Sequence, residues 1–399
     1  MLVIVAPGQG AQTPGFLAPW LEDETFAARI DWLSAVAGLD LAHYGTEADE
    51  ATIRDTRIAQ PLLVGSALVA SLQLYPHPAD AYRGLGAVAG HSVGEITAAV
   101  GARVISAEQA MVLVRERGNA MARAAAVTPT GMSAVLGGDR DEVLAAIAEH
   151  GLTASNDNGP GQIVAGGTTE QLEALAAAAP KGARVRPLSV AGAFHSPHMA
   201  PAVDHVAHLA RSISTHDPRT RFISNADGTV VHDGRDVVRR IVGQIARPVR
   251  WDLCLETMAD IGVSGILEMP PAGTLTGIAK RFFRDRGMSV ETFALTGPEQ
   301  LDEARAFCGR HGEASLIDSS PTWRMVVSPS KGVFHVSAEA ADLDRLAPGV
   351  TIGDVASLRD RVSVTAAHGG QIVEWLVHDG DPVAPGQPLL RLHPEVVPA

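Results

Sequence analysis

The sequence predicts an α/β protein: a mostly parallel sheet flanked by helices, interrupted by a β-α-β-β-α-β insert and followed by a small all-β region. Three observations predict it. Over residues 1 to about 127, apolar strand-like runs ("LVIVAPG", "GAVAG") alternate with helical stretches ("AQPLLVGSALVASLQL", "SAEQAMVLVRERGNAMARA"), the rhythm of a parallel sheet covered by helices. From 128 to 190 the order becomes "GMSAVLGG", helix "DRDEVLAAIAEHG", two short runs in "LTASNDNGPGQIVAGG", helix "TTEQLEALAAAAP" and "ARVRPLSV", which reads as a ferredoxin-like insert. From 322 to 399 the helical pattern is gone, and short strands are punctuated by Gly and Pro. Between these, 191 to 295 returns to mixed α/β, with "VSGILEMPP" a buried strand feeding the loop "PPAGTLTG", and 296 to 321 reads as a linker.

The bulk composition narrows the function classes. With 399 residues the chain has room for two or three domains. A formal net charge of −13, from 45 acidic against 32 basic residues, argues against a general nucleic-acid or membrane-surface binder and leaves only local basic patches for acidic partners. The basic run Lys280, Arg281, Arg284 and Arg286 is such a patch. Two cysteines, Cys254 and Cys308, with no C-x-x-C or H-E-x-x-H, write neither a disulfide framework nor a metal site and suit a reducing cytoplasm. The N-terminus has no basic lead, and "PLLVGSALVASLQLY" reads as too short and too polar to span a bilayer. The expectation is a soluble cytoplasmic protein.

The chemistry concentrates in "GAVAGHSVGEITAAV", residues 86 to 100, where Ser92 sits between Gly90 and Gly94 at a predicted strand-to-helix turn. This is the G-x-S-x-G elbow: small residues permit a tight turn that holds the serine oxygen out, while the following helix aims free N–H groups and its positive end at the same spot. The same pentapeptide can be a Gly-rich turn that merely contains a serine. A nucleophilic serine needs a base held in the right tautomer. "VAGAFHSPHM" offers His195, with His198 as its competitor. No Asp or Glu stands out as orienter, so a backbone carbonyl could hold the other ring nitrogen. On the apolar helix of "LVRERGNAMARA", Arg115 and Arg117 are two apart and face nearly opposite ways, so at most one turns inward. An inward arginine either makes a structural ion pair or binds a carboxylate, which its planar fork suits. The N-terminal "APGQGAQTPG" lacks the third glycine of a dinucleotide fingerprint and reads as a loop bringing Gln9 near the serine.

Taken in order, "PGQGAQ", "GHSVGE", "VRERGNAM", "SNDNGPGQIVAGG", "GAFHSPHM" and "QIARPVRW" resemble the malonyl-CoA:acyl carrier protein transacylases of fatty-acid synthesis and the acyltransferase domains of polyketide synthases. The resemblance covers residues 1 to about 295 and implies an α/β-hydrolase-like core, 1–127 and 191–295, with a ferredoxin-like subdomain at 128–190. It implies Ser92 as nucleophile, His195 as base and acid, Gln9 with the Val93 N–H as oxyanion hole, and Arg117 as the malonyl carboxylate clamp. It implies the Gln244 main-chain carbonyl as the histidine's orienter, and it places Asn156 and Asn158 in a matching loop. "GAFH" is of the kind associated with malonyl rather than methylmalonyl selection. The partners implied are malonyl-CoA and acyl carrier protein, with no cofactor or metal, no nucleic acid and no membrane insertion. The competing class is a serine esterase or thioesterase, against which stand the missing acid and Arg117; a module that has lost catalysis is a third, against which stand the intact Ser92, His195 and Arg117.

The tail carries its own resemblance. "TAAHGGQIVEWLVHDGDPVAPGQPLLRLHP" is similar to the second half of a biotinyl or lipoyl carrier domain, and "GVFHVS" with "LAPGVTIGDVASL" to a degenerate first half. Where that family carries its acylated lysine, "ASLRDRVSV" has Arg359, and guanidinium is a poor nucleophile. Lys331, the only lysine of the tail, lies far from that position in sequence. The expectation is an unmodified β domain over 322–399.

Overall fold

Strand Leu2–Ala6 is an unbroken apolar run, and it lies at the centre of a six-stranded sheet because both of its faces are covered. The order across the sheet is Glu291–Ala294, Gly265–Glu268, Leu2–Ala6, Leu85–Gly90, Arg221–Ile223 and Val230–Val231. All neighbours are parallel except the last pair. Alternate residues take opposite faces. Val3, Val5, Ala87 and Ala89 pack with Trp251, Leu255, Phe282 and Phe283; Leu2 and Val88 join the larger core built by helices Glu24–Ala37, Thr56–Leu74 and Ala107–Ala125. The structure is a computed structural model that describes residues 1–75, 84–312, 324–340, 343–357 and 360–394. The chain divides into two units, Met1–Ala314, which is mixed α/β, and Ser315–Ala399, which is all-β where described.

The helix starts follow local chemistry. Asp55 accepts from the Arg57 N–H and opens Thr56–Leu74; Ser106 and Gln109 form a capping box that opens Ala107–Ala125. The first cap changes one expectation. Read from Pro61 the apolar run is short, but the Asp55 cap extends the helix to 19 residues, which by length and composition alone could cross a membrane. Since 72% of its most apolar window is buried inside the molecule, it is a core helix.

A second sheet of five strands runs Ala183–Pro187, Thr130–Gly137, Gln162–Thr168, Thr153–Asp157, Val249–Arg250. Its first four strands pair antiparallel. Helices Arg140–Glu149 and Thr169–Ala177 pack on it through Val143, Ile147, Leu172 and Leu175. The last strand pairs parallel with Asn156 and Asp157 and comes from a segment the sequence reading placed outside this region. Two residues carry no periodicity to read.

The linker expected over 296–321 is corrected in part. Residues Leu301–His311 form a helix whose Ala304, Phe307 and Cys308 are buried in the first unit's core. Their i, i+3, i+4 spacing is that of a packed helix face. Residues 313–321 lie outside the described residues.

In the second unit, two antiparallel four-stranded sheets enclose Phe334, Ile352, Val355, Leu389, Leu390 and Leu392. Strands Thr351–Ala356 and Arg361–Thr365 form a hairpin pairing Ala356 with Arg361. Arg359, the expected counterpart of the acylated lysine, lies outside the described residues.

A pair of glycine substitutions tests the packing. In Gly94→Ala the new Cβ would lie 2.3 Å from the Ala6 carbonyl oxygen, whereas Gly277, inside helix Thr274–Asp285, has nothing within 4 Å of that position. Chemical denaturation is expected to show Gly94→Ala destabilised by about 2 kcal/mol or more and Gly277→Ala stabilised by about 0.5–1 kcal/mol.

Candidate active site

Strand Leu85–Gly90 ends against helix Gly94–Gly101 in a turn that puts Ser92 in the left-handed region, at φ 53°. A non-glycine residue there stores about 1–3 kcal/mol of strain, which the surroundings must hold. Here they do so by contact and hydrogen bonding. A Cβ on Gly90 would sit 2.0 Å from the Gly94 carbonyl carbon, and one on Gly94 would strike Ala6 O. The glycines are therefore required by close approach, and the left-handed conformation belongs to the serine. The His91 N–H donates to Ala6 O at 2.9 Å, and the Ser92 N–H donates to Asn225 Oδ1 at 2.8 Å. Gln9, Ser92 and Asn225 all follow the carboxyl ends of adjacent parallel strands, the usual place for a site on such a sheet.

His195 faces this turn from the loop before the short helix Pro197–Met199, itself at φ 58° and buried. Its Nε2 lies 2.7 Å from Ser92 Oγ, and its Nδ1 lies 2.7 Å from the Gln244 carbonyl oxygen. A carbonyl can only accept, so Nδ1 carries the proton and Nε2 presents its lone pair to the serine hydroxyl. Burial first, then the positive charge of Arg117 and the nearby His91, push the His195 pKa down to about 3, against the pull of the Gln244 carbonyl. The imidazole is thus neutral and able to take the serine proton.

Arg117 is fully buried on helix Ala107–Ala125. It donates to Gln60 Oε1 at 2.8 Å, to Gln244 Oε1 at 3.0 Å, and over 3.4 Å to Ser92 Oγ. Its Nε has no partner among the described residues. Burial lowers the guanidinium to about 10, with Glu95 pulling the other way. A buried cation with a spare donor beside a serine hydroxyl can hold an anionic substrate group next to the reacting oxygen. Beneath it, Glu95 accepts from the Asn225 N–H at 2.6 Å and from Gln244 Nε2 at 2.5 Å.

Ser92, His195, Arg117 and Gln244 therefore meet in space. His195, and not His198, contacts the serine. Arg115 turns away: its guanidinium donates to Glu116 and Ala37 O, with 37% of the side chain exposed. Gln9 commits its side-chain N–H groups to Arg54 O and Thr56 Oγ1, so what it can offer toward Ser92 is its backbone N–H. Neither that N–H nor that of Val93 donates to another described residue. Asn158 Oδ1 lies 2.9 Å from His91 Nε2, while Asn156 Oδ1 is buried with no partner among the described residues. In the basic run, Arg284 pairs with Asp285 and Arg286 with Glu256. The sequence reading missed Glu95, Asn225 and Gln60. Glu95 stands in "GHSVGE", three residues after the serine, and Gln60 is an amide at the start of an apolar run; Asn225 gave no signal.

The acyl transferase domain family model matches residues 3–321. A malonyl CoA-acyl carrier protein transacylase of Mycobacterium tuberculosis is 48% identical over 303 residues, 76% of this chain and 99% of the relative. The crystal structure of the enzyme named MCAT from Mycobacterium tuberculosis superposes with a TM-score of 0.73 at 47% identity, covering 76% of this chain and 99% of that one. A malonyl-transacylase solved in complex with a type II PKS acyl-carrier protein superposes with a TM-score of 0.70 at 28% identity, covering 76% and 99%. With four-fifths of its length matched by the family model and a relative of this identity aligned end to end, the chain belongs to the acyl transferase domain family.

Proposed function

We propose that this chain transfers a malonyl group from coenzyme A to the phosphopantetheine thiol of acyl carrier protein, through a malonyl ester on Ser92, in the cytoplasm. The observation that carries the reading is the buried Arg117 guanidinium, 3.4 Å from the hydroxyl that His195 contacts; the relatives' names supply the substrate and the acceptor. An uncharged ester gives such a cation nothing to bind, which disfavours an esterase or thioesterase.

In the first half-reaction the Ser92 proton passes to His195 Nε2 as Oγ attacks the thioester carbon. The oxyanion rests on the backbone N–H groups of Val93 and Gln9, and as the C–S bond breaks His195 returns the proton to the departing sulfur. In the second, the carrier thiol gives its proton to His195, its sulfur attacks the malonyl-serine carbon, and the C–Oγ bond breaks with the proton going back to Ser92. The cycle draws on no metal or dissociable cofactor. Arg117 has two effects: it holds the free carboxylate, and while empty it depresses the base. A carboxylate seated on it offsets that charge, so His195 becomes a better base when the clamp is filled.

The supporting architecture is read as an α/β-hydrolase-like core with a ferredoxin-like subdomain, which the sheet order Ala183–Pro187, Thr130–Gly137, Gln162–Thr168, Thr153–Asp157 supports. The second unit is read as a biotinyl/lipoyl-like domain, which its pair of antiparallel four-stranded sheets supports. Lys280 and Arg281, exposed on helix Thr274–Asp285, are read as a receiving edge for the acidic carrier protein.

Arg117→Ala is expected to lower Ser92 malonylation by about 10- to 150-fold, the worth of one charge-assisted hydrogen bond, while acetyl transfer is kept or improved. Mass detection of the acyl-enzyme with each coenzyme A ester measures it, and an unchanged malonyl preference refutes the clamp.

The depressed His195 pKa predicts a flat kcat/KM for acetyl-CoA from about pH 8 to about pH 5, whereas a histidine near 6.5 would be about 97% protonated at the lower end. The same shift acts on stability. Below 6.5 the unfolded chain takes up a proton that the native site refuses down to about 3, so this group's contribution to folding stability falls as pH drops through that window.

For the tail, mass analysis of the peptides covering residues 322–399, from protein purified from its native cells, is expected to find no added group. Added biotin or lipoate on the second unit would refute the reading.

A further inference from the structure

We infer that Glu95 is the positioning residue that sets the substrate specificity of this site, by fixing which way the Gln244 amide points and hence how Arg117 is presented. The inference rests on the reading above that Arg117 holds the substrate carboxylate.

Three groups stand in line. Arg117 can only donate hydrogen bonds, a carboxylate can only accept them, and the Gln244 side chain between them does one at each end. Arg117 donates to Gln244 Oε1 at 3.0 Å, and Gln244 Nε2 donates to Glu95 Oε2 at 2.5 Å. Turning the amide over would set its N–H groups against the guanidinium and its oxygen against the carboxylate, leaving two buried mismatches. Glu95 cannot yield, because its other oxygen accepts from the Asn225 backbone N–H at 2.6 Å, which has no freedom to turn. The Asn225 side chain is held by the same logic: Oδ1 accepts from Ser92 N–H and from Gln244 Nε2, while Nδ2 faces Cys254 Sγ. Glu95 is buried, three residues after Ser92, in the first turn of the helix that begins at the elbow.

The two tasks of Gln244 separate here. Its main-chain carbonyl, which takes His195 Nδ1–H, is held by the short helix Gln244–Ala246 and by the adjacent bond from His195 N–H to Ile245 O. Its side chain is held by Glu95. Loss of the carboxylate therefore disturbs Arg117 more than the serine–histidine pair, and malonyl transfer more than acetyl transfer.

Glu95→Gln tests this at constant shape. The new amide has one oxygen to give; the fixed Asn225 N–H takes it, the new NH2 group meets Gln244 Nε2, and Gln244 turns its own N–H groups toward Arg117. Acyl-enzyme formation from malonyl-CoA and from acetyl-CoA is measured in the wild type, E95Q, R117A and the double variant. The expected result is a fall of about tenfold or more in malonyl-to-acetyl preference for E95Q, and no further fall when E95Q is added to R117A, because the carboxylate acts through that arginine. Equal losses with both substrates, or additive losses in the double variant, overturn the inference while the R117A result still stands for the clamp. An unchanged preference in R117A itself refutes the clamp instead.

The unsubstituted enzyme supplies a second arm that needs no folded variant. Burial pushes the Glu95 carboxyl above the ordinary carboxylate range. The charged and titratable groups facing it are Arg117 on helix Ala107–Ala125, Arg240 on Gly234–Gly243 and Cys254 on Trp251–Asp260. Protonating Glu95 removes the acceptor as E95Q does, so the malonyl-to-acetyl ratio is expected to fall from mildly alkaline to mildly acid pH. Taken as the ratio of kcat/KM values, which reports the free enzyme, the contribution of His195 is common to both substrates and cancels. A level ratio overturns the inference.

Discussion

The site depends on one constraint: a serine must be held in a left-handed conformation at the junction of a parallel strand and a helix. Gly90 and Gly94 contribute by having no Cβ where the two elements touch, and Asn225 fixes the serine N–H from the neighbouring strand end. The turn is also what leaves the Val93 N–H without an acceptor among the described residues, since the first amides of a helix have no partner within it. Strain at Ser92 and free donors beside it are two results of the same crowding.

Burial then couples the remaining groups. Burying Arg117 between Glu95 and His195 makes its charge felt by both, because little water screens it. The guanidinium that would recognise a carboxylate is the same one that weakens the base, and the carboxylate below it limits how far the guanidinium is itself depressed. Recognition and proton transfer are thus electrostatically linked. A substrate bearing a negative group relieves the penalty that an uncharged one leaves in place.

The second unit follows different physics. It has its own core, centred on Phe334 and the strand Pro388–Pro394, and the matched family model ends before its first described strand.

Much was legible in the sequence because it is local. The elbow needs small residues within two positions of the serine, and the alternation of apolar runs and helices follows from a sheet covered on both faces. Other features had no such signal. Glu95 and Arg117 are brought to Gln244 across separations of 149 and 127 residues, Asn225 reaches Ser92 across 133, and Val249–Arg250 is too short to announce itself as a strand. The helix Leu301–His311 was hidden among polar residues until its apolar face found the core. By itself the sequence determined which residue carries the hydroxyl and the kind of turn that holds it, since both are set by neighbours in the chain. Only the tertiary structure decided which histidine and arginine face that hydroxyl and which way each buried amide points, because those choices are made by donors and acceptors that meet only after folding has excluded water.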